Sequence, residues 1–213
     1  MNFAYTAALI AAFRRTITDE RLTNYLADTN GNEVGALNRY VANTRLCEAF
    51  YTPLQGIEIT LRNAMNAELV ARHGLDWTEG RKFFLQDGHR GQIEGAIRTL
   101  SEDGKPIENG RIVAELNFGF WVNILGPKYE TNLWRPTLRK AFPCRPKGVE
   151  RQDIQKSLNA IRRLRNRVMH HERILDRNLA DDHALILTLI GWICPETQQW
   201  VAAHSNFSTN LIP

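Results

Sequence analysis

Nowhere along this chain do apolar and polar residues alternate over the length of a strand. Apolar positions recur instead every three or four residues, and that period fits helices. Leu158, Ile161, Leu164, Val168 and Leu175 stand at spacings of three, four and seven, the stripe of a helix packed on a core. One long helix is therefore expected from residue 149 to about 172, with Leu175 completing its stripe. Ahead of it, helices are expected at 3–15, at 18–26 with Thr18 as N-cap, from 33 up to Pro53, and at 54–73 with Ile57, Leu61, Met65 and Leu69 inward. Gly74 should stop that last helix and Trp77 plug the edge of the core. A modest helix at 88–101 leads to a loop, a turn at Asn109-Gly110, a densely apolar helix at 111–125 and a short one at 132–142. Helices at 181–193 and 196–203 close the chain. The fold class is all-α, in one domain spanning 1–213 with its core at about 15–195, and the tail after Ser205 is expected to fray. A chain of 213 residues suffices for one such core.

The opposite face of the 149–172 helix is basic. Arg162, Arg163, Arg165 and Arg167 crowd together with no carboxylate among them, and His170, His171 and Arg173 follow. A surface helix selected for stability alone interleaves Glu or Asp at i,i+4, so a one-signed cluster points to an external anion, phosphate first. Asn166 and His170 share a face, whereas Arg165 and His170 are five apart, about 140° around the helix. One helix therefore cannot aim both at one atom. Two such helices packed antiparallel about a twofold axis would bring Arg, Asn and His from both chains into one cleft. Histidine moves protons near neutral pH and arginine grips phosphate bidentately, a pair able to support RNA cleavage without a metal.

The string Arg165-Asn166-Arg167-Val168-Met169-His170 resembles the Arg-x4-His signature, with a polar residue after the arginine, of the HEPN superfamily of helical ribonucleases. Extended through His171-Glu172-Arg173-Ile174, it looks like the version carried by the Abi-like, abortive-infection branch. Glu20-Arg21-Leu22 with Tyr25-Leu26, Glu58 through Arg62-Asn63, and Phe118-Gly119-Phe120-Trp121 also resemble that branch, so the likeness runs from roughly residue 15 to 195. It implies a HEPN-like helical bundle with additional helices, homodimeric through the motif helix. Arg165 and His170 would be the catalytic pair, with Asn166 orienting the site or touching RNA. Arg162, Arg163, Arg167 and Arg173 would hold the RNA backbone. The implied reaction needs no metal: the ribose 2′-hydroxyl attacks the adjacent phosphorus, leaving a 2′,3′-cyclic phosphate and a free 5′-hydroxyl. The implied role is a bacterial toxin or abortive-infection effector, kept silent by a protein or RNA antitoxin. Some HEPN toxins carry, two residues past the histidine, a tyrosine that a partner nucleotidyltransferase modifies. Glu172 stands there, so silencing by that route is not expected.

Other residues read two ways. His171 and Glu172 are either a histidine packed beside Val168 and a Glu paired with a neighbouring Arg, or a second proton carrier and an orienter of the site. Glu58 and Arg62, four apart, form a helix ion pair on the simplest reading; with Asn63 they become a shell positioning Arg165 if their helix lies against the motif helix. Phe118 through Trp121 read as core before base-stacking platform. Lys105, Arg139, Lys140, Arg145 and Lys147 are solvated surface or an extension of the positive face.

The net charge of +4 permits nucleic-acid binding without requiring it. His73, His89, His183 and His204 are scattered, and no glycine-rich phosphate loop is present, so neither metal nor cofactor is expected. Cys47, Cys144 and Cys194 are odd in number and far apart, as for reduced thiols in a cytoplasmic protein. The apolar stretch 3–13 is too short to span a bilayer and its arginines follow it, so neither membrane span nor secretory signal is expected. The rivals to a nuclease are a non-catalytic RNA-binding module and a protein-interaction module built on the same helix.

Overall fold

A computed structural model describes residues 3–78 and 85–208, which form ten α-helices and no strand. The helices are α1 (Ala7–Ile17), α2 (Asp19–Asp28), α3 (Glu33–Ala49), α4 (Tyr51–His73), α5 (Asp87–Glu102), α6 (Asn109–Glu115), α7 (Phe118–Asn123), α8 (Arg151–Met169), α9 (Leu179–Ile193) and α10 (Pro195–His204). The all-α expectation is thus met.

The core is built around α4, whose Leu54, Ile57, Leu61, Met65 and Leu69 are all fully buried. Helices α7, α9 and α10 pack on it, and α8 packs in turn on α7 and α9. Gly56 makes the α10 contact possible: a Cβ there would sit 2.7 Å from a Val201 methyl. Trp77 is buried as expected, donating its indole N–H to Asn66 Oδ1 at 2.8 Å and standing edge-on to Trp121.

Several boundaries fall elsewhere than the periodicity implied, each for a local reason. The chain breaks at Phe50, so Pro53 lies inside the first turn of α4, where its missing N–H has no intrahelical acceptor to lose. Thr18 precedes α2 but holds φ at 77° and caps no backbone N–H. Asn109 and Gly110 open α6 and do not form a free turn. The 111–125 stretch is two helices, because the Asn117 side chain accepts from the Phe120 N–H at 2.9 Å and starts α7 afresh. Residues 132–142 divide between a π-turn at Glu130–Trp134 and a 3-10 turn at Leu138–Ala141, with Pro136 between them. Of the tail expected to fray after Ser205, residues 209–213 lie outside the described residues, and the part before them is held in place. Ser205 hydrogen-bonds His183 at 3.0 Å and Phe207 stacks on the His183 ring, 4.7 Å between centroids.

Helix α8 is anchored at both ends. At its start Glu150 and Asp153 form a reciprocal capping box, and Arg151, buried, reaches the Glu130 carboxylate at 2.5 Å and the Leu125 carbonyl at 2.6 Å. Its end differs from expectation: the last helical residue is Met169, and 170–178 lie outside any helix. His170 is the C-cap. His171 takes the left-handed conformation at φ 58°, its N–H donating to the Val168 carbonyl and that of Glu172 to Arg167 at 2.8 Å, a Schellman closure with histidine where glycine is usual. Ile174, beyond the helix, carries the buried contact that Leu175 was expected to make.

Candidate active site

Ile154, Leu158, Ile161 and Leu164 of α8 are fully buried, each worth about 1.5–3 kcal/mol of burial, so the rotation of the helix is set by its core side. The basic face is thereby turned outward, over a cleft of about 530 Å³ shared with α5 and α7. Helix α8 lines it with Arg162, Arg163, Arg165 and Asn166; α7 and the residue before it contribute Asn117, Phe118, Gly119 and Asn123; α5 contributes Gln92. Four of the sequence candidates are thus brought together.

Two of the three arginines are held in place. Arg162 donates to Asn123 Oδ1 at 2.9 Å. Arg165 donates from Nε to Glu58 Oε2 at 3.3 Å, with both side chains less than a third exposed. Arg163 is exposed, and neither it nor Asn166 makes a side-chain hydrogen bond to a described residue. Among the described residues the lining therefore holds three guanidinium charges and no carboxylate, with Glu58 paired to Arg165 outside it, a standing positive field in a partly enclosed space. Gly119 keeps the wall thin: a Cβ there would lie 3.0 Å from Asn117 Oδ1 and 3.8 Å from Arg162 Nη1.

The α4 cluster behaves as a positioning shell in one residue of three. Glu58 goes to Arg165 and not to Arg62, the i,i+4 partner that the simplest reading gave it. Arg62 leaves its Nε buried without a hydrogen bond, and Asn63 is exposed.

His170 does not join the lining of this cleft. It is exposed at the C-cap of α8, consistent with the angular separation from Arg165 along the helix. His171 and Glu172 instead line a smaller cleft of about 190 Å³ with Arg21 and Asn24 of α2. The His171 carbonyl accepts a hydrogen bond from Arg21 Nη2, and the Glu172 carboxylate lies 4.0 Å from Arg167 Nε. The pairing of Glu172 with a neighbouring arginine is therefore present, and His171 does not pack into the apolar stripe.

Arg173, expected on the RNA backbone, is bonded within the protein. Its side chain, 13% exposed, bridges Asp28 at 2.8 Å and Asp176 at 2.7 Å and lies over the Tyr25 ring at 5.1 Å. That hydrogen bond holds the Asp28 carboxyl below the usual carboxylate range, while burial pushes the Tyr25 hydroxyl up to about 12. Phe118, Phe120 and Trp121 are buried, so they are core and not a stacking platform.

Asn43 is the residue that reading the sequence missed. Buried on α3, it donates to the Glu172 carbonyl at 3.3 Å and accepts from the Ile174 N–H at 2.8 Å, fixing the segment after His170 to the N-terminal helices. A polar residue three positions before Leu46 and seven after Ala36, in line with inward positions, was the available signal. Gln92, Asn117 and Asn123 were also missed, having only amide chemistry and no spacing to mark them. Among the described residues no three His, Cys, Asp or Glu side chains gather at metal-ligand distances, and no helix is long and apolar enough to cross a membrane.

Comparison with protein-family models, curated proteins and solved structures returns no match to this chain.

Proposed function

We propose that this chain is a metal-independent endoribonuclease of the HEPN type, acting as a homodimer. The observation that carries the reading is the cleft that α8 lines with three arginines and Asn166, with no carboxylate among the described residues of the lining and Glu58 paired to Arg165. Such a site favours phosphate, and Arg165, steadied by Glu58, is preorganised to stabilise charge on the phosphoryl oxygens.

His170 stands at the end of the same helix, off the cleft lining, so the catalytic histidine over each Arg165 comes from a second α8 across a twofold axis. In the reaction the 2′-hydroxyl gives its proton to a base as its oxygen attacks phosphorus. The P–O5′ bond breaks, the leaving oxygen takes a proton, and a 2′,3′-cyclic phosphate and a 5′-hydroxyl result. His170 acts as base or acid. The biological role follows the family resemblance: a bacterial toxin or abortive-infection effector, working on RNA in the cytoplasm and silenced by an antitoxin.

The separation of Arg165 from His170 within one protomer favours a second reading, an RNA-binding module that holds its ligand without cutting it. Purified protein incubated in EDTA with labelled cellular RNA, wild type beside His170→Ala, separates the two. Cleavage with cyclic phosphate ends in the wild type alone supports the nuclease. Salt-dependent binding by both proteins with cutting by neither supports the binding module.

A further inference from the structure

We propose that the α5–α7–α8 cleft is a reading pocket for one unpaired nucleotide of an RNA strand, with Arg163 and Arg165 on the phosphate and Gln92 and Asn117 on the base edge. The identity of the ligand as RNA rests on the ribonuclease reading of the same cleft; the division of labour within it does not.

Size comes first. A volume of about 530 Å³ lies within the roughly 300–1,000 Å³ of small-ligand sites, room for a nucleotide and not for a duplex. Sequence-specific recognition of RNA is mostly of this kind, with unstacked bases read one at a time on their exposed edges.

The polar groups then sort by what each is already doing. Arg162 is tied to Asn123, leaving Arg163, free among the described residues, and Arg165, braced from behind by Glu58, to meet an anion. The amides of the lining are half-committed. Asn117 spends Oδ1 on the Phe120 N–H, which leaves its Nδ2 hydrogens as donors. Gln92 donates Nε2 to the Gly88 carbonyl at 3.3 Å, which leaves Oε1 as an acceptor. A fixed donor and a fixed acceptor lining one cleft match a base edge, which carries both. Gly119, next to Asn117 and Arg162, has no side chain to fill the space where a ring would lie. The neighbouring aromatics are buried, so stacking falls to the guanidinium planes, a known partner for bases.

The test uses 2′-O-methyl RNA, which binds without being cut, and fluorescence anisotropy of the full-length protein. Homopolymeric octamers of the four bases and a mixed-sequence strand, single and duplex, are the probes. Gln92 is half-exposed and its one hydrogen bond is to its own helix, so Gln92→Ala keeps the fold. Expected are tighter binding of single strand than duplex, a preference among the four bases, and about a tenfold loss for the preferred base in Gln92→Ala with the salt dependence unchanged. Arg163→Ala should weaken all four alike and lower the salt slope by about one. Equal affinity for duplex, or a base preference that Gln92→Ala leaves intact, overturns the pocket. A wild type that cuts RNA yet is indifferent to Gln92 loses the pocket and keeps the nuclease. One that shows the Gln92 dependence but never cuts loses the nuclease and keeps the pocket.

Discussion

A single carboxylate decides where Arg165 points. The Glu58–Arg165 pair is partly exposed, and such pairs contribute on the order of 0–1 kcal/mol to stability, so its effect on folding is small. Its effect on position is not: a misplacement of about 1 Å at a reacting centre can cost on the order of a hundredfold in rate. The charge works in the other direction, since the same carboxylate repels any phosphate entering the cleft. On the proposed ribonuclease reading, Glu58→Gln should therefore leave the melting temperature within about 2 °C, slow single-turnover RNA cleavage by about tenfold or more, and tighten RNA binding at low salt. Weaker binding together with an unchanged rate would sink this account. His171 poses the complementary question. Its φ of 58° costs roughly 1–2 kcal/mol for a non-glycine residue, offset in part by the greater unfolded-chain entropy of the glycine that would relieve it. His171→Gly should then raise stability by on the order of 0.5–1 kcal/mol, or about 1–3 °C in a calorimetric melt. If activity falls as stability rises, the ring carries a proton. If activity holds, His171 only closes the helix.

Elements with long amphipathic periods were legible, and elements stopped by side chains were not. The α4, α8 and α9 helices could be read because their inward residues repeat over many turns; the α6–α7 break could not, because the apolar run continues through it and one Asn117 carboxamide ends the matter. The basic face of α8 was readable as charge without counter-charge. Which of its arginines remain available was not, since Arg173 is taken up by Asp28, some 145 positions earlier in the chain. The segment from His170 to Ile174 belongs to this second kind: its sequence looks helical, and a buried amide on α3 holds it open. Asn43→Ala would strand the buried Ile174 N–H and free the Glu172 carbonyl, at about 1–3 kcal/mol for each unsatisfied group. The expected result is a melting temperature lower by roughly 5–10 °C, with faster amide exchange at Ile174 than in the wild type. Asn43→Asp, which keeps the acceptor and loses the donor, should fall between the two. Unchanged exchange at Ile174 in Asn43→Ala would show that α8 ends where it does without help from α3.

Across the whole molecule, acid should unfold this protein in two stages, because two kinds of group are depressed. Burial lowers the His183 ring, which lies between Phe50 and Phe207, and the His89 ring, which lies against Phe120 and Tyr129. The hydrogen bond from Arg151 lowers Glu130, and that from Arg173 lowers Asp28. A group depressed in the folded state binds its proton more tightly in the unfolded one, so stability falls as pH falls, starting at the unfolded value. For the histidines the loss begins near pH 6.5 and continues until their folded values are passed; for the two carboxylates stability is complete above the ordinary carboxylate range and is lost below it. Urea midpoints should therefore drop between pH 7.5 and 5.5, well before the ion pairs at α8 and α2 are titrated. His183→Gln tests the assignment, since an uncharged amide can still reach Ser205 but takes up no proton. The variant should start less stable at pH 7.5, having lost its ring contacts with Phe50 and Phe207, and should lose less on acidification. A pH slope equal to the wild type's would move the early loss to His89 or His73, the other rings that burial lowers. A flatter slope ties it to the docking of the C-terminal tail, and so makes the first acid step a release of the residues around Phe207 and not an opening of the arginine cleft.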